Sequence, residues 1–163
     1  MSAFLSRRNG RRDVDSRGAV TVEFVLVLPF FLFLIFLLIS MSTMFSFRQA
    51  LSQAATEGAR AAAVQPLGTS DSMRKSRAWE AIDQTLDAQA DVTCDSGTLH
   101  RRGDAVGTCS VSAVQDCDSG SKCVTVRLSY SYRAHQVTGS MPFVPGALFP
   151  AALTYESSVR VSQ

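Results

Sequence analysis

Residues 17–41 read RGAVTVEFVLVLPFFLFLIFLLISM, and the fold turns on how this stretch is understood. From Phe24 to Ile39 it is an almost unbroken apolar run, with a single carboxylate, Glu23, at its front edge. Taken as helix from Ala19 to Met41, it covers about 34 Å at ~1.5 Å per residue, slightly more than the ~30 Å hydrocarbon core of a bilayer. Pro29 lies inside the run; a proline is tolerated in a membrane helix where neighbouring groups satisfy the freed carbonyl. A lone acid beside such a segment is costly in lipid, so its presence calls for a functional reason.

Charge orients the segment. The formal net charge of +2 conceals an asymmetry, because residues 1–18 carry Arg7, Arg8, Arg11, Arg12 and Arg17 against Asp13 and Asp15. That leader is therefore +3 and everything after Gly18 is −1. The basic balance belongs to the leader, and no nucleic-acid partner is expected. After the span, only Arg48 falls within about 15 residues, so the positive-inside bias places the N-terminus in the cytoplasm and the C-terminal part outside. Cys94, Cys109, Cys117 and Cys123 all lie in that exterior part. An even set in an oxidising compartment points to two disulfides, with three possible pairings. Their intervals of 15, 8 and 6 residues contain no CxxC knuckle, so no metal site and no cofactor are expected.

Four stretches follow from these features: a basic removable leader over 1–18, a transmembrane helix over 19–41, a helical extension over 42–65 and an exterior domain over 66–163. The leader has no apolar periodicity and is expected to be unstructured. The extension is rich in strong helix formers, and Phe47, Leu51, Ala54, Ala55, Gly58, Ala61 and Ala62 recur at helical spacing until Pro66 and Gly68 close it. Leu67 to Ser72 is rich in turn residues. A second helix is predicted from about Asp71 to Ala90, with Trp79, Ile82 and Leu86 on one side and Asp71 or Ser72 as its cap. Beyond Asp91 the texture changes to short β-branched runs. Thr108 to Val114 alternates, Val124 to Arg133 alternates with Val124, Val126, Leu128, Tyr130 and Tyr132 on one face, and Leu153 to Val161 forms a last strand. Thr138 to Pro150, with Pro142, Pro145 and Pro150, is a long connection. The fold class is α+β: a long N-terminal transmembrane helix that extends into a small exterior domain with a second helix and an antiparallel sheet.

The leader junction, Ser16 to Phe24, carries the chemistry. A secretory signal would place small residues after the apolar core, and the only such candidate is Ser40-Met41-Ser42, inside continuing helix. A glycine before the core with glutamate five positions on instead resembles the processing site of type IV prepilins. That resemblance implies cleavage by a membrane aspartyl peptidase between Gly18 and Ala19, on the cytoplasmic side. Cleavage there removes all five leader arginines and frees an ammonium at Ala19. Glu23 then sits one helical turn along, where a carboxylate offsets the positive helix start. In a filament the resemblance assigns Glu23 and Phe24 to subunit assembly, with the acid pairing to a neighbour's terminal amine.

The likeness narrows further. Arg17 to Pro29, the aromatic-leucine run, and then Arg48, Gln49, Ala50 and Leu51 followed by Ala55 to Ala63 resemble the TadE-like family, pseudopilins of the tight-adherence (Flp, type IVc) pilus machinery. The match covers about residues 16–64. It implies a minor pilin or pseudopilin whose partners are the prepilin peptidase, other pilins, the inner-membrane platform proteins and the lipid bilayer. A membrane-anchored or secreted exterior binding domain that never polymerises is the alternative.

No enzyme is expected. His100 and His135 stand in separate contexts without an acid at motif spacing, and no phosphate loop, zinc-hydrolase motif or nucleophile elbow occurs. Both histidines read as exposed loop residues. Ala54, Gly58 and Ala62 form a small-xxx-small ladder that permits close approach of helix backbones. This face is expected to pack on the protein's own sheet rather than on a second copy.

Overall fold

The computed structural model describes residues 12–66, 68–117, 120–137, 139 and 144–161. Residues 1–11 of the expected leader, Leu67 of the expected break, and Thr138 and 140–143 of the expected connection lie outside the described residues.

An uninterrupted supply of helix-forming residues gives α1, Arg12–Ala63, which at ~1.5 Å per residue is about 78 Å long. Pro29 is accommodated within it. Among the described residues the helix already runs from Arg12 and not only from Ala19, so residues 12–18 of the expected unstructured leader are helical. Gly18 alone does not interrupt the ladder. At the other end the last α-type bond is from Val64 N–H to the Arg60 carbonyl, just ahead of Pro66.

α2 spans Asp71–Ala90 and packs back along α1 as an antiparallel hairpin. Its cap is Ser70 rather than Asp71 or Ser72, and Ser70 makes no side-chain cap bond. Its hydroxyl lies instead 3.1 Å from that of Ser72. Asp91 closes the helix in a left-handed conformation, with its N–H on the Asp87 carbonyl. The hairpin is locked by Arg74, which is only 2 % exposed. Its guanidinium donates to the Ala62 carbonyl at 3.0 Å and to the Pro66 carbonyl. The first of these oxygens belongs to the last turn of α1, where carbonyls lack intrahelical partners and a cation is favoured, and the second to the turn that follows it. Arg74→Met is therefore expected to cost about 2 kcal/mol of unfolding free energy, the usual loss for bonds to a charged group. Urea unfolding in detergent micelles measures it, and an unchanged midpoint overturns this role.

Among the described residues six antiparallel strands follow: β1 Val92–Asp95, β2 Thr98–Arg101, β3 Asp104–Val111, β4 Gln115–Cys117, β5 Ser121–Tyr130 and β6 Leu153–Arg160. β5 is central. β6 pairs along its whole length from Cys123 to Tyr130. The opposite edge is shared by β3, against Val126 to Tyr130, and β4, against Ser121 to Cys123. β2 pairs with β3, and β1 with β2. The alternation in β5 has its expected consequence. Val124, Val126, Leu128 and Tyr130 are buried beneath the helices, while the opposite face carries the hydroxyl pairs Thr125–Ser158 and Ser129–Thr154 at 3.1 and 3.2 Å. Tyr132 lies beyond the end of the strand, in a turn, yet is buried with the same group.

The helical hairpin covers one face of this sheet, and the core lies between the layers, built from Leu51, Ile82, Leu86, Val124, Val126 and Leu128 among others. At its centre the ladder of Ala54, Gly58 and Ala62 meets α2 rather than the sheet: a Cβ at Gly58 would lie 2.7 Å from Ile82 Cγ1. Small residues are needed there because two helix backbones approach closely, which corrects the expected sheet contact.

Both disulfides form between sequence neighbours, Cys94–Cys109 and Cys117–Cys123. Cys109 donates its N–H to the Gly97 carbonyl at 2.9 Å, at the turn between β1 and β2, which brings it to 6.2 Å (Cα–Cα) from Cys94. Cys117 and Cys123 tie β4 to β5. Loop-closure entropy gives the 15-residue bridge about 3 kcal/mol and the six-residue bridge about 2 kcal/mol. Replacing Cys94 and Cys109 together by alanine should thus lower the urea midpoint more than replacing Cys117 and Cys123 together.

Candidate membrane-embedded assembly segment

Burial divides α1 into two parts of different chemistry. From Ser40 onward a stripe that recurs every three or four residues is covered by the rest of the chain, among them Ser40, Met44, Phe47, Ala50, Leu51, Ala54, Ala55, Ala59 and Ala62. Before Ser40 the large apolar side chains stand open, with Phe24 63 % and Leu26 73 % exposed. Of the most apolar 18-residue window in Val20–Ala63, only 6 % is buried inside the protein. The core helix of a soluble domain would be mostly covered, so this part is not one. By length and composition it is compatible with anchoring the chain by a single pass through a bilayer.

Gly18, Ala19, Glu23 and Phe24 lie on consecutive turns at the front of this open part. Glu23 and Phe24 are both exposed, and among the described residues Glu23 has no hydrogen-bond or salt-bridge partner. Ala19 and Glu23 are four residues apart on one helix, hence neighbours on its surface. Among the described residues, apart from the helix's own nearby backbone, no atom comes within 4 Å of a Cβ placed at Gly18. Packing among the described residues therefore makes no demand for glycine at this position, and a glycine within a helix costs about 1 kcal/mol relative to alanine.

Where the open part ends, an aromatic cluster seats the folded domain. The Phe47 ring meets Tyr130 edge-on at 4.7 Å and Tyr132 at 6.1 Å, and Tyr132 stands 5.8 Å from Phe149. Burial pushes both phenols above their ordinary range. The Arg101 guanidinium opposes this at Tyr130, while at Tyr132 the Tyr130 phenol reinforces it and a hydrogen bond with Thr43 opposes it. The Tyr130 hydroxyl donates to the His135 carbonyl at 2.7 Å. Asp83 of α2 is likewise raised by burial, against the bond it accepts from the Cys94 N–H.

A cleft of about 510 Å³ opens beside this cluster, lined by Arg101, Arg102, Asp104, Arg133, His135 and Gln136 among others. Its arginines are largely engaged. Arg101 donates to the carbonyls of Ala90, Gln136 and Val137, at 3.3, 3.1 and 2.7 Å, and Arg133 donates twice to that of Phe149. Arg102 pairs with Asp91 at 3.5 Å on the surface. His135 borders the cleft in the turn after β5, whereas His100 is half-buried on β2 rather than in a loop. Among the described residues no group of three or more His, Cys, Asp or Glu is arranged to hold a metal. Arg74, Arg101 and Arg133 went unnoticed in the sequence because each pairs with distant backbone carbonyls, which leave no mark at a fixed spacing.

A family model described as TadE-like protein matches residues 18–60, a stretch that begins at Gly18 and runs through the open part of α1 into its covered part. No curated protein and no solved structure matches the chain.

Proposed function

We propose that this chain is a minor pilin or pseudopilin of a tight-adherence (Flp, type IVc) pilus, cut by a prepilin peptidase between Gly18 and Ala19. Likeness to TadE-like proteins associates the chain with that pilus machinery. One observation carries the reading: the matched segment starts at Gly18 and contains an apolar helix that its own folded domain leaves uncovered. Such a surface needs an outside partner. Lipid supplies it while the subunit is stored, and the helices of other pilins supply it once the subunit joins a filament.

Each residue then has a task. Gly18 tolerates the extended backbone that a protease cleft requires, with no side chain to clash. The cut removes 18 of 163 residues and leaves 145, with a new ammonium at Ala19 one turn from Glu23. The carboxylate offsets that charge in its own chain, or in a neighbour's once subunits stack, while Phe24 packs beside it. The exterior domain lies outside the membrane with its disulfides in an oxidising compartment. No chemistry is assigned to the chain itself. Its partners are the peptidase, the inner-membrane platform and the other pilins.

Mass spectrometry of the mature N-terminus, after expression with and without the peptidase, tests this reading. A chain that begins at Ala19 only when the peptidase is present supports it. One that keeps Met1 in both preparations overturns it, and one that begins near Thr43 identifies a released exterior domain instead.

A further inference from the structure

The longest charge-free stretch outside α1 lies in the exterior domain itself: residues 136–155 contain no Asp, Glu, Lys, Arg or His. Within it, residues 144–150 read VPGALFP and make a turn around a short 3-10 segment, Gly146–Leu148. The turn presents apolar groups to the outside. Pro145, Ala147 and Leu148 are exposed, Leu148 by 51 %, while Phe149 next to it is buried and anchors the turn.

Its position follows from a short series of contacts. Phe149 packs against Tyr132 with ring centroids 5.8 Å apart, and Tyr132 meets Phe47, which lies one helical turn beyond Thr43 on α1. Thr43 in turn donates to the Ile39 carbonyl at 3.0 Å. Ile39 is the last residue of the uncovered apolar run. At ~1.5 Å per residue Thr43 lies about 3 Å beyond Met41, well inside the interfacial zone of roughly 5–7 Å that borders the hydrocarbon. Through the buried rings of Phe149, Tyr132 and Phe47 the turn is thus seated close to the point where the uncovered run of α1 ends. Behind the turn the Arg133 guanidinium is fixed on the Phe149 carbonyl at 3.1 and 2.8 Å. An apolar tip backed by a cation is the arrangement that suits an acyl boundary beneath phosphate headgroups.

We infer that the turn at 144–148 is a second membrane contact, resting in the exterior leaflet of the bilayer that α1 crosses. The inference rests on the membrane reading of α1 and adds to it. With two points of attachment the domain has a fixed height and tilt on the membrane, and the tip must leave the lipid when the subunit is withdrawn into a filament.

Fluorescence quenching by lipid tests it. All four native cysteines are paired, so a single introduced cysteine is the only free thiol. Full-length L148C, Q84C and L34C chains are labelled with an environment-sensitive fluorophore and reconstituted in phosphatidylcholine–phosphatidylglycerol vesicles. A fraction of the lipid carries a nitroxide near the top of the acyl chain. Gln84 borders the far end of the α1–α2 hairpin and reports the aqueous background; Leu34 reports the span. Quenching at Leu148 at least ~3-fold that at Gln84 is expected for an interfacial side chain. Quenching at Leu34 with Leu148 no different from Gln84 overturns the second contact and leaves the span standing. An unquenched Leu34 removes the membrane reading, and this inference with it.

Discussion

A Gly107→Ala chain is expected to lose about 4 kcal/mol or more of unfolding free energy, at the upper end of what one added methyl does. Gly107 lies on β3 opposite Tyr130 of β5 and opposite Leu99 of β2, next to the irregularity where the β2–β3 register shifts between Leu99 and His100. A Cβ there would lie 2.1 Å from the Ser129 carbonyl oxygen and 3.0 Å from the Tyr130 Cα. Both obstacles are backbone, so no rotamer change relieves the contact. Nor is β5 free to move, since β6 holds it along the other edge through the same residues. Relief requires β3 to part from β5, and that opens the layer that covers Val126 and Leu128. Gly68→Ala is the control: its added methyl meets nothing within 4 Å, and the change should stay within about 0.5 kcal/mol. Urea unfolding in micelles, followed by the single tryptophan, Trp79, compares the two. Equal midpoints for both variants would overturn the account.

What could be read in advance, and what could not, follows from the range of the forces involved. The helices were legible because apolar periodicity sustained over twenty residues or more leaves few alternatives; α2 runs from Asp71 to Ala90 as its pattern predicts. The inward face of β5 was legible for the same reason, four alternating positions from Val124 to Tyr130. The strands β1, β2 and β4 were missed, being three or four residues long, too short for alternation to register. Their turns did carry a signal. Ser96-Gly97 and Arg102-Gly103 each separate two short runs by two residues, and all four adopt positive φ, between 50° and 92°. Such pairs are the usual mark of a tight hairpin. The disulfide pairing was not legible, because spacing alone permits three solutions and the selection comes from how the β1–β2 turn meets Cys109. Gly18, Ala19, Glu23 and Phe24 stood out because their relation is one of covalent spacing along a single helix. The turn at 144–148 did not, since its place depends on a tertiary path through Tyr132 and Phe47 to the end of the uncovered run of α1.

The second large effect concerns Gly58, where two readings of one motif diverge. Small residues four apart on a helix serve association between copies in a membrane, or close packing within one chain. Here a Cβ at Gly58 would stand 2.7 and 2.9 Å from the Cγ1 and Cδ1 atoms of Ile82, and 3.3 Å from the Ala78 carbonyl oxygen. Ile82 and Ala78 are themselves fully buried, so a leucine finds the space already taken. Gly58→Leu is expected to cost about 4 kcal/mol, by prying α2 from α1 and exposing Ile82 and Leu86. Gly58→Ala is milder, because its methyl meets the pliable end of Ile82 and alanine regains about 1 kcal/mol of helix propensity. The decisive measurement is the pair Gly58→Leu with Ile82→Ala. If the clash is within the chain, trimming Ile82 restores at least about 1 kcal/mol relative to additivity, since the two residues are in direct contact. Monomeric protein in detergent should show both the loss and the recovery, where contacts between copies contribute nothing. A Gly58→Leu chain that keeps its urea midpoint but ceases to self-associate in vesicles would move the ladder from the domain's interior to the filament.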